Sequence, residues 1–572
     1  MAEGTSPQGA QPWLRNYAPG VRWDAGYTAQ PLHCILDDAA AKMGARPCLD
    51  FLDKHYTYAE VLDLANRVAK GLQEIGVKPG DRVGLLLPNT PYYVAAYFGI
   101  LKAGAIVVNL NPLYAEKELQ HLVEDSGVEI LFTLDVAALY DKVAQLLTTT
   151  RLQRVVVCKM SEILPFPKNL LFPLLRFSQL ATIPADVQHL RFSKLTANDG
   201  AFQPQPVDPA KDLAVLQYTG GTTGLSKGAM LTHGNVYINA RQLSDWFPER
   251  EIGKEKLLCV LPLFHVFAMT AIMHWALMNG GSMILLPRFD LDQLLKVINQ
   301  KKPSVFHAVP TLYAAIANHP KIADFDLTSI KSCISGGAPL PLEVKSRFEA
   351  LTGCRLVEGY GLSEASPVLS CNPLNGENKA GSVGQPLPDT RIEIVALDDP
   401  DKVLPVGERG EITGIGPQVM TGYWEKPEVS AKTLRQGRLH TGDVGYLDED
   451  GYLFIVDRIK EMIIASGYKI YPRMVEEALY EHPAVVECAV IGAPDEYRGE
   501  TVMAVIALAP GKRATEEELT EFLKERLAPM EMPKIYKFRD SLPKTPVGKI
   551  EKKVLVAEYV GQPNGEPESN QG

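Results

Sequence analysis

The sequence predicts an α/β protein, in which a large amino-terminal domain of parallel-sheet αβαβα subdomains and a small β-rich subdomain precedes a small α+β carboxy-terminal domain. Three observations predict it. At 572 residues the chain exceeds what one hydrophobic core covers, so at least two domains are expected. Short apolar runs alternate with helical patterns over two long stretches, the mark of parallel sheets covered on both faces. From about Gly381 the strands shorten and Gly, Pro and Asp turns multiply.

Residues 1–24 and 559–572 are polar and rich in Gly, Pro, Glu and Asn, and are expected to stay disordered. Thr57 and Glu60 form a capping box, and Val61, Ala65, Val68, Leu72 and Ile75 repeat at helical spacing as far as Gly76. Strand RVGLLL, helix PYYVAAYFGILKAG and strand AIVVNL follow. The pattern then repeats with helix AEKELQHLVEDSG, strand VEILFTL, helix VAALYDKVAQLL and strand RVVVCKM. A second series from Leu213 supplies strands KLLCVLP, SMILLP, SVFHAVP, SCIS and RLVEGYG, and RIEIVAL, GEITGIG and GYLFIVD make the β-rich part. Helix MVEEALYEH, strands ECAVIGAP and TVMAVIALA and helix EEELTEFLKERLA complete a compact α+β unit. The expected domains are 25–457 and 461–558, with residues 458–460 between them.

With 46% hydrophobic and 22% charged residues the composition is that of a globular protein. A net charge of −10 argues against a general nucleic-acid binder. The eight cysteines are scattered without a CxxC pair or zinc spacing, and read as reduced thiols of a cytoplasmic protein. The opening MAEGTSPQGA lacks the basic and then apolar run of a secretory signal. Val260–Leu286 is the most apolar region, but His265, His274, Asn279 and two glycines interrupt it, so no membrane span is expected. Ile163–Phe177 is apolar with three prolines; it is expected to pack against its domain, the alternative being a lid or a membrane-contacting patch.

The densest chemical signal is YTGGTTGLSKG, 218–228. Its glycines let backbone approach a ligand, its threonines add hydroxyl donors and Lys227 adds charge, a set suited to a polyphosphate. It is not a Walker A loop, since Ser226 stands where that motif requires Gly. SCIS runs into Gly336-Gly337-Ala338-Pro339 and RLVEGYG into Leu362-Ser363-Glu364, so both loops should face one crevice at the carboxyl ends of parallel strands. Tyr360 could stack on a flat base. Glu364 is an oxygen ligand of the kind that holds Mg²⁺ beside phosphates, although a lone glutamate is more often simply solvated. By itself, His265 among apolar residues reads as a satisfied core histidine.

YTGGTTGLSKG, EGYGLSEASP, HTGDVGYLDEDGYLFIVDRIKEMIIASGYKIYP and LPKTPVGKI, in this order, resemble the core motifs of the acyl-adenylate-forming (AMP-binding) superfamily of acyl- and aryl-CoA ligases and peptide-synthetase adenylation domains. The likeness covers residues 25–555. NPLYAEKEL, LPLFHVFAMT, GPQVMTGYW and LPFPKNLLFPLL make it greatest to bacterial long-chain fatty-acid:CoA ligases. The resemblance implies that Thr219, Gly220, Gly221, Thr222, Thr223, Gly224 and Lys227 hold the phosphates of ATP, with Mg²⁺ at Glu364 and Thr222. It implies an adenine pocket from Gly337, Ala338, Glu358, Gly359 and Tyr360, further nucleotide contacts from Gly361 and Ser363, and a ribose site from Asp443 and Arg458. Lys549 would serve the α-phosphate and the attacking carboxylate, and His265 would wall the acyl site. Where some relatives carry a gating Trp four positions after this His, the chain has Met269.

The resemblance also implies a mobile carboxy-terminal domain that turns at Lys460 and presents Ser466, Gly467, Tyr468 and Lys469 to CoA. The activity it implies is ligation of a long-chain fatty acid to CoA at the expense of ATP. A medium-chain or aryl-acid ligase, an acyl-AMP ligase serving a carrier protein and a non-catalytic nucleotide-binding scaffold are the rivals. No nucleic-acid partner is implied. Peripheral contact with the inner face of the membrane and a homodimer stay open.

Overall fold

The computed structural model describes residues 11–219, 226–466, 468–495, 497–509, 511–545 and 548–561. They form two compact units. The first runs to Ile392 and includes Gly414–His440 and Asp450–Tyr452; the second takes Glu393–Thr413, Thr441–Glu449 and the chain from Leu453 onward. The expected β-rich segments thus give most of their residues to the second unit.

In the first unit, seven strands lie in the order His189–Arg191, Arg154–Cys158, Ile130–Leu134, Arg82–Leu86, Ile106–Asn109, Leu213–Thr219, Lys227–Thr232. Every pairing is parallel except the last, a hairpin. The helix Tyr58–Glu74 starts at the expected capping box: the Glu60 N–H donates to Thr57 Oγ1 at 3.2 Å and the Thr57 N–H to Glu60 Oε2 at 2.7 Å. It packs closely on Pro91–Lys102, because Gly99 lets the two helices approach there. A Cβ added at Gly99 would lie 2.5 Å from Val68 Cγ1 and 2.9 Å from the Ala65 carbonyl oxygen.

A second sheet joins Lys54–Thr57, Pro47–Phe51, Ser282–Leu285 and Lys256–Cys259, and a third joins Ser332–Ser335, Arg355–Gly361, Val368–Cys371 and Gln385–Pro386. The expected strand SVFHAVP connects them, but only through isolated parallel bridges, Leu257 to Val305, Val305 to Ser332 and Ala308 to Ser335. The ladder breaks because side chains take its bonds. The Ile334 N–H donates to His307 Nδ1 at 3.0 Å, and the Phe306 carbonyl accepts the Tyr313 hydroxyl at 2.9 Å. Burial pushes the His307 pKa down to about 3, so the ring stays neutral and can accept.

Two further expectations are corrected. Residues 11–24 are not disordered: Trp13 is buried, its ring lies 5.5 Å from Trp23, and Tyr17 packs edge-on against Trp246 at 5.2 Å. Three aromatic side chains bury enough surface to outweigh the polar composition around them. Ile163–Phe177 does not pack as expected either. Its start is buried, but the short helix Lys168–Leu175 has no buried residue, and its leucines stand exposed. The apolar stretch after His265 is a buried helical run, Val266–Met278, with a π-helical turn at Met269–His274. No helix among the described residues is long and apolar enough to cross a membrane.

The second unit contains the antiparallel pair Val485–Asp495 and Gly499–Leu508, with Ile535–Arg539 parallel to the latter and the hairpin Ile463–Ala465/Tyr468–Ile470 beside it. Helices Pro472–Tyr480, Glu516–Lys524 and Lys552–Tyr559 complete it.

Gly99→Ala is expected to lower stability by about 1–3 kcal/mol, because the added methyl must push backbone aside. The midpoint of thermal unfolding measures it, and an unchanged or raised midpoint would contradict the close packing.

Candidate functional site

In the first unit the Gly/Thr motif begins and ends in the two strands of the edge hairpin. Tyr218 stands opposite Gly228 and Thr219 opposite Lys227; Gly220, Gly221, Thr222, Thr223 and Gly224 lie outside the described residues. The outer side of Lys227–Thr232 is lined by the segment 421–424. The Met230 N–H donates to the Gly422 carbonyl at 2.9 Å, the Thr421 N–H to Met230 at 3.1 Å and the Trp424 N–H to Gly228 at 2.8 Å. This segment delivers Tyr423, which the sequence reading missed although it lies within GPQVMTGYW. Its hydroxyl donates to Glu364 Oε1 at 2.7 Å, and Lys227 Nζ stands 5.4 Å over its ring. Lys227, Glu364 and Tyr423 therefore gather at the mouth of the hairpin. Burial and the neighbouring Glu364 both push the Tyr423 pKa up, so its phenol is a fixed donor.

Asp125 anchors the same region. It accepts the Tyr218 hydroxyl at 2.7 Å, pairs with Lys426 at 3.3 Å and takes the Trp424 indole N–H on its carbonyl at 3.1 Å.

The two strand ends meet as expected. Ser335 pairs in parallel register with Glu358, so the loop from Gly336 leaves the sheet beside Gly359–Gly361, the strand end that runs on into the loop at Leu362. Glu358 is buried and its Oε1 accepts the Leu340 N–H at 3.1 Å, tying one loop to the other strand. Gly337 has φ +82°, and a Cβ at Gly361 would stand 1.9 Å from the Pro367 carbonyl oxygen, so both positions require glycine. Tyr360 is buried with little of its ring exposed. Ala338 and Ser363 lie half-buried on the two loops.

His265 follows a loop that buried side chains hold in place of a strand. The Asn89 amide donates to the carbonyls of Cys259 and Leu261 at 3.1 and 2.9 Å and accepts the Leu263 N–H at 2.8 Å. The Tyr93 hydroxyl reaches the Leu263 carbonyl at 2.8 Å and Gln217 the Phe264 carbonyl at 3.1 Å. Asn109 joins Gln217 at 3.0 Å and touches Met269 Sδ at 3.5 Å. The imidazole caps the following helix, Nδ1 accepting the Phe267 N–H at 3.3 Å. The Phe267 ring in turn lies against Gly336, where a Cβ would be 3.2 Å from it.

The second unit holds the other predicted residues. Asp443 and Arg458 are cross-strand partners, and Arg458 Nε stands 3.3 Å from Asp443 Oδ1. Lys549 ends a tight turn closed by the Thr545 N–H on its carbonyl at 2.7 Å and by its own N–H on Thr545 Oγ1 at 3.1 Å. Its pKa is pushed down to about 8 by burial and by Arg458, with Asp443 opposing. Three residues later the electrostatics reverse. Burial works against the charge of Lys552, but Glu476 at 2.8 Å and Glu461 at 3.0 Å outweigh it and hold its pKa above the usual lysine range. Glu461 immediately follows Lys460, which sits exposed in a turn. Burial raises the Asp457 pKa to about 6 although it accepts the N–H groups of Arg458 and Arg473. Ser466 stands at φ +50° in the hairpin that exposes Tyr468 and Lys469; Gly467 lies outside the described residues.

Comparison with known proteins gives the family. The family model "AMP-binding enzyme" matches residues 36–424 and "AMP-binding enzyme C-terminal domain" residues 474–549. A long-chain-fatty-acid–CoA ligase of Bacillus subtilis is 45% identical over 563 residues, 96% of this chain and 98% of that protein. One from Escherichia coli O6:H1 is 36% identical, with the same 96% and 98% coverage. The crystal structure of ATP-bound MatB from Rhodopseudomonas palustris superposes with a TM-score of 0.82 at 29% identity, covering 93% of this chain and 99% of that one.

Lys552→Met would leave two facing carboxylates without their cation. We expect a loss of about 2–3 kcal/mol, at or below the lower end for buried pairs because the three groups keep some solvent. Calorimetry reads this as a lower unfolding midpoint, and adding Glu476→Gln should restore part of it. No recovery in the double variant would count against a charge origin.

Proposed function

The chain belongs to the AMP-binding enzyme family, and within it we propose that this protein is a long-chain fatty acid:CoA ligase, converting ATP, fatty acid and CoA into acyl-CoA, AMP and pyrophosphate through an acyl-adenylate. The observation that carries the reading is 45% identity, held over nearly the whole of both chains, to a ligase of that activity.

A carboxylate is a poor acyl donor, and in-line attack of its oxygen on the α-phosphate makes AMP the leaving group. Catalysis of that step is positioning and charge neutralisation, so the chain needs no nucleophilic side chain. Thr219, Lys227 and the loop 220–224 hold the β- and γ-phosphates. Gly337, Ala338, Glu358, Gly359 and Tyr360 line the adenine pocket, and Gly361 and Ser363 add to the nucleotide site. Asp443 accepts the ribose hydroxyls, since one carboxylate can take two such bonds, and Arg458, 3.3 Å away, aligns it. Lys549 neutralises charge on the α-phosphate and orients the attacking carboxylate, and His265 walls the acyl site.

Glu364 suits Mg²⁺: it is half-buried, one oxygen is aligned by Tyr423, and oxygen donors of this kind, with Thr222, are what that ion takes. When bound, the ion offsets negative charge on the phosphates. In the second step the chain turns at Lys460, between the domains 25–457 and 461–558, and Ser466, Gly467, Tyr468 and Lys469 receive the pantetheine arm. The thiol of CoA then attacks the mixed anhydride and AMP departs. Peripheral membrane contact belongs to the same reading, because the acid partitions into lipid.

Lys549→Ala should lower acyl-AMP formation by about 10²–10³-fold, the usual cost of removing one preorganised charge partner, and leave thiolysis of supplied acyl-AMP largely intact. Equal loss of both half-reactions would refute the assignment. Because the Lys549 pKa is pushed down to about 8, its proton is largely in place at neutral pH and is lost as pH rises through that value. The adenylation kcat/KM should therefore fall on an alkaline limb near pH 8, and Lys549→Arg, whose guanidinium stays charged, should lack that limb. Across saturated acids from six to eighteen carbons and a set of aryl acids, acyl-CoA yield should favour the long chains. Preference for aryl acids, transfer only to a carrier protein, or no substrate-dependent AMP would each overturn the proposal.

A further inference from the structure

The helix Lys168–Leu175 and its flanks expose six large apolar side chains within twelve residues: Phe166 at 79%, Leu170 60%, Leu171 45%, Leu174 77%, Leu175 75% and Phe177 78%. Leu170 and Leu174, like Leu171 and Leu175, are four apart, so the four leucines share one helical face. The segment is held at both ends. Ile163 and Leu164 are buried before it, Leu180 bridges to Val136 after it, and Lys168 pairs with Asp53 at 2.9 Å. It therefore forms an anchored apolar patch exposed to solvent. Soluble proteins seldom leave so continuous a patch in water unless something covers it.

Charge and shape select the partner. Between Ile163 and Gln179 the chain carries no acidic residue, and its two cations are Arg176 and Lys168, the latter partly exposed and paired with Asp53, so the apolar face has a cation and a phenylalanine at each end. No residue of the helix is buried, so its leucine face is presented outward. An apolar helical face with aromatic ends and cations beside it suits the boundary between headgroups and acyl chains, and the cations favour anionic headgroups.

We propose that Phe166–Phe177 is a membrane-docking element that lays Leu170, Leu171, Leu174 and Leu175 into the interface of an anionic phospholipid bilayer, from which the enzyme draws its acid. Docking stands on the exposed face alone; the supply of acid rests on the ligase reading above.

The test compares the full-length protein with a triple variant, Leu170→Ser, Leu174→Ser and Leu175→Ser, checked for an unchanged unfolding midpoint. Co-sedimentation uses vesicles of phosphatidylcholine with phosphatidylglycerol. The protein should bind them, the triple variant about tenfold less or weaker still, and Lys168→Glu with Arg176→Glu should weaken binding most at low salt. Acyl-CoA synthesis from detergent-dispersed acid should be equal in both proteins, while synthesis from acid held in vesicles should fall in the variant. Failure of the protein to bind vesicles, or equal binding by the variant, overturns the proposal. So does a concentration-dependent dimer that the variant abolishes without vesicle binding, which would make a second copy the occupant. Vesicle binding without ligation of any fatty acid would instead sink the ligase reading and leave docking intact.

Discussion

The crevice of the first unit depends on a buried amide clamp. Asn89, Tyr93 and Gln217 close the backbone bonds of Cys259–Phe264, with Asn109 steadying Gln217. This loop leaves the carboxyl end of Lys256–Cys259, and its anchors come from the seven-stranded sheet or the helices on it. The clamp thus fixes how the edges of two sheets face each other and where His265 emerges. Such a network is exacting: each partner is buried, and an orphaned group costs roughly 1–3 kcal/mol, more than an ordinary hydrogen bond contributes. Polar side chains here specify position as hydrophobic ones specify compactness.

In the second unit, two lysines three residues apart are driven in opposite directions. Lys552 has two carboxylates and keeps its proton firmly. Lys549 has one carboxylate, already shared with Arg458, and holds its proton loosely. A lysine whose charge is weakly compensated by its own protein has more to gain from an incoming anion. The tightly paired neighbour ties its helix to Glu461 and Glu476 while the other stays available.

Much of the fold was legible because it rests on local chemistry. The Thr57–Glu60 box and the run of parallel strands from Arg82 to Cys158 follow from spacing alone. The loops at Gly336 and Leu362 could be placed together because parallel strands put their carboxyl ends on one edge. What could not be read depends on distant partners. Tyr423 has no signal of its own, and its value comes from the segment that sets it beside Glu364. His307 breaks a ladder that SVFHAVP is apolar enough to form. Residues 11–24 look too polar to order until Trp13, Tyr17 and Trp23 find surfaces far along the chain, and Ile163–Phe177 looks apolar enough to bury throughout but leaves the leucines of its helix exposed. Composition reports what a segment could bury, not whether a surface awaits it.

The cover over Lys227–Thr232 has one more consequence. A large sheet is vulnerable at its margins, where unpaired amides can recruit a strand from another molecule. Here one margin is occupied by the segment bearing Tyr423, and the opposite margin, His189–Arg191, is only three residues long. The residues that bring a phenol to Glu364 also guard the protein against aggregation, so loosening them would endanger solubility as well as chemistry.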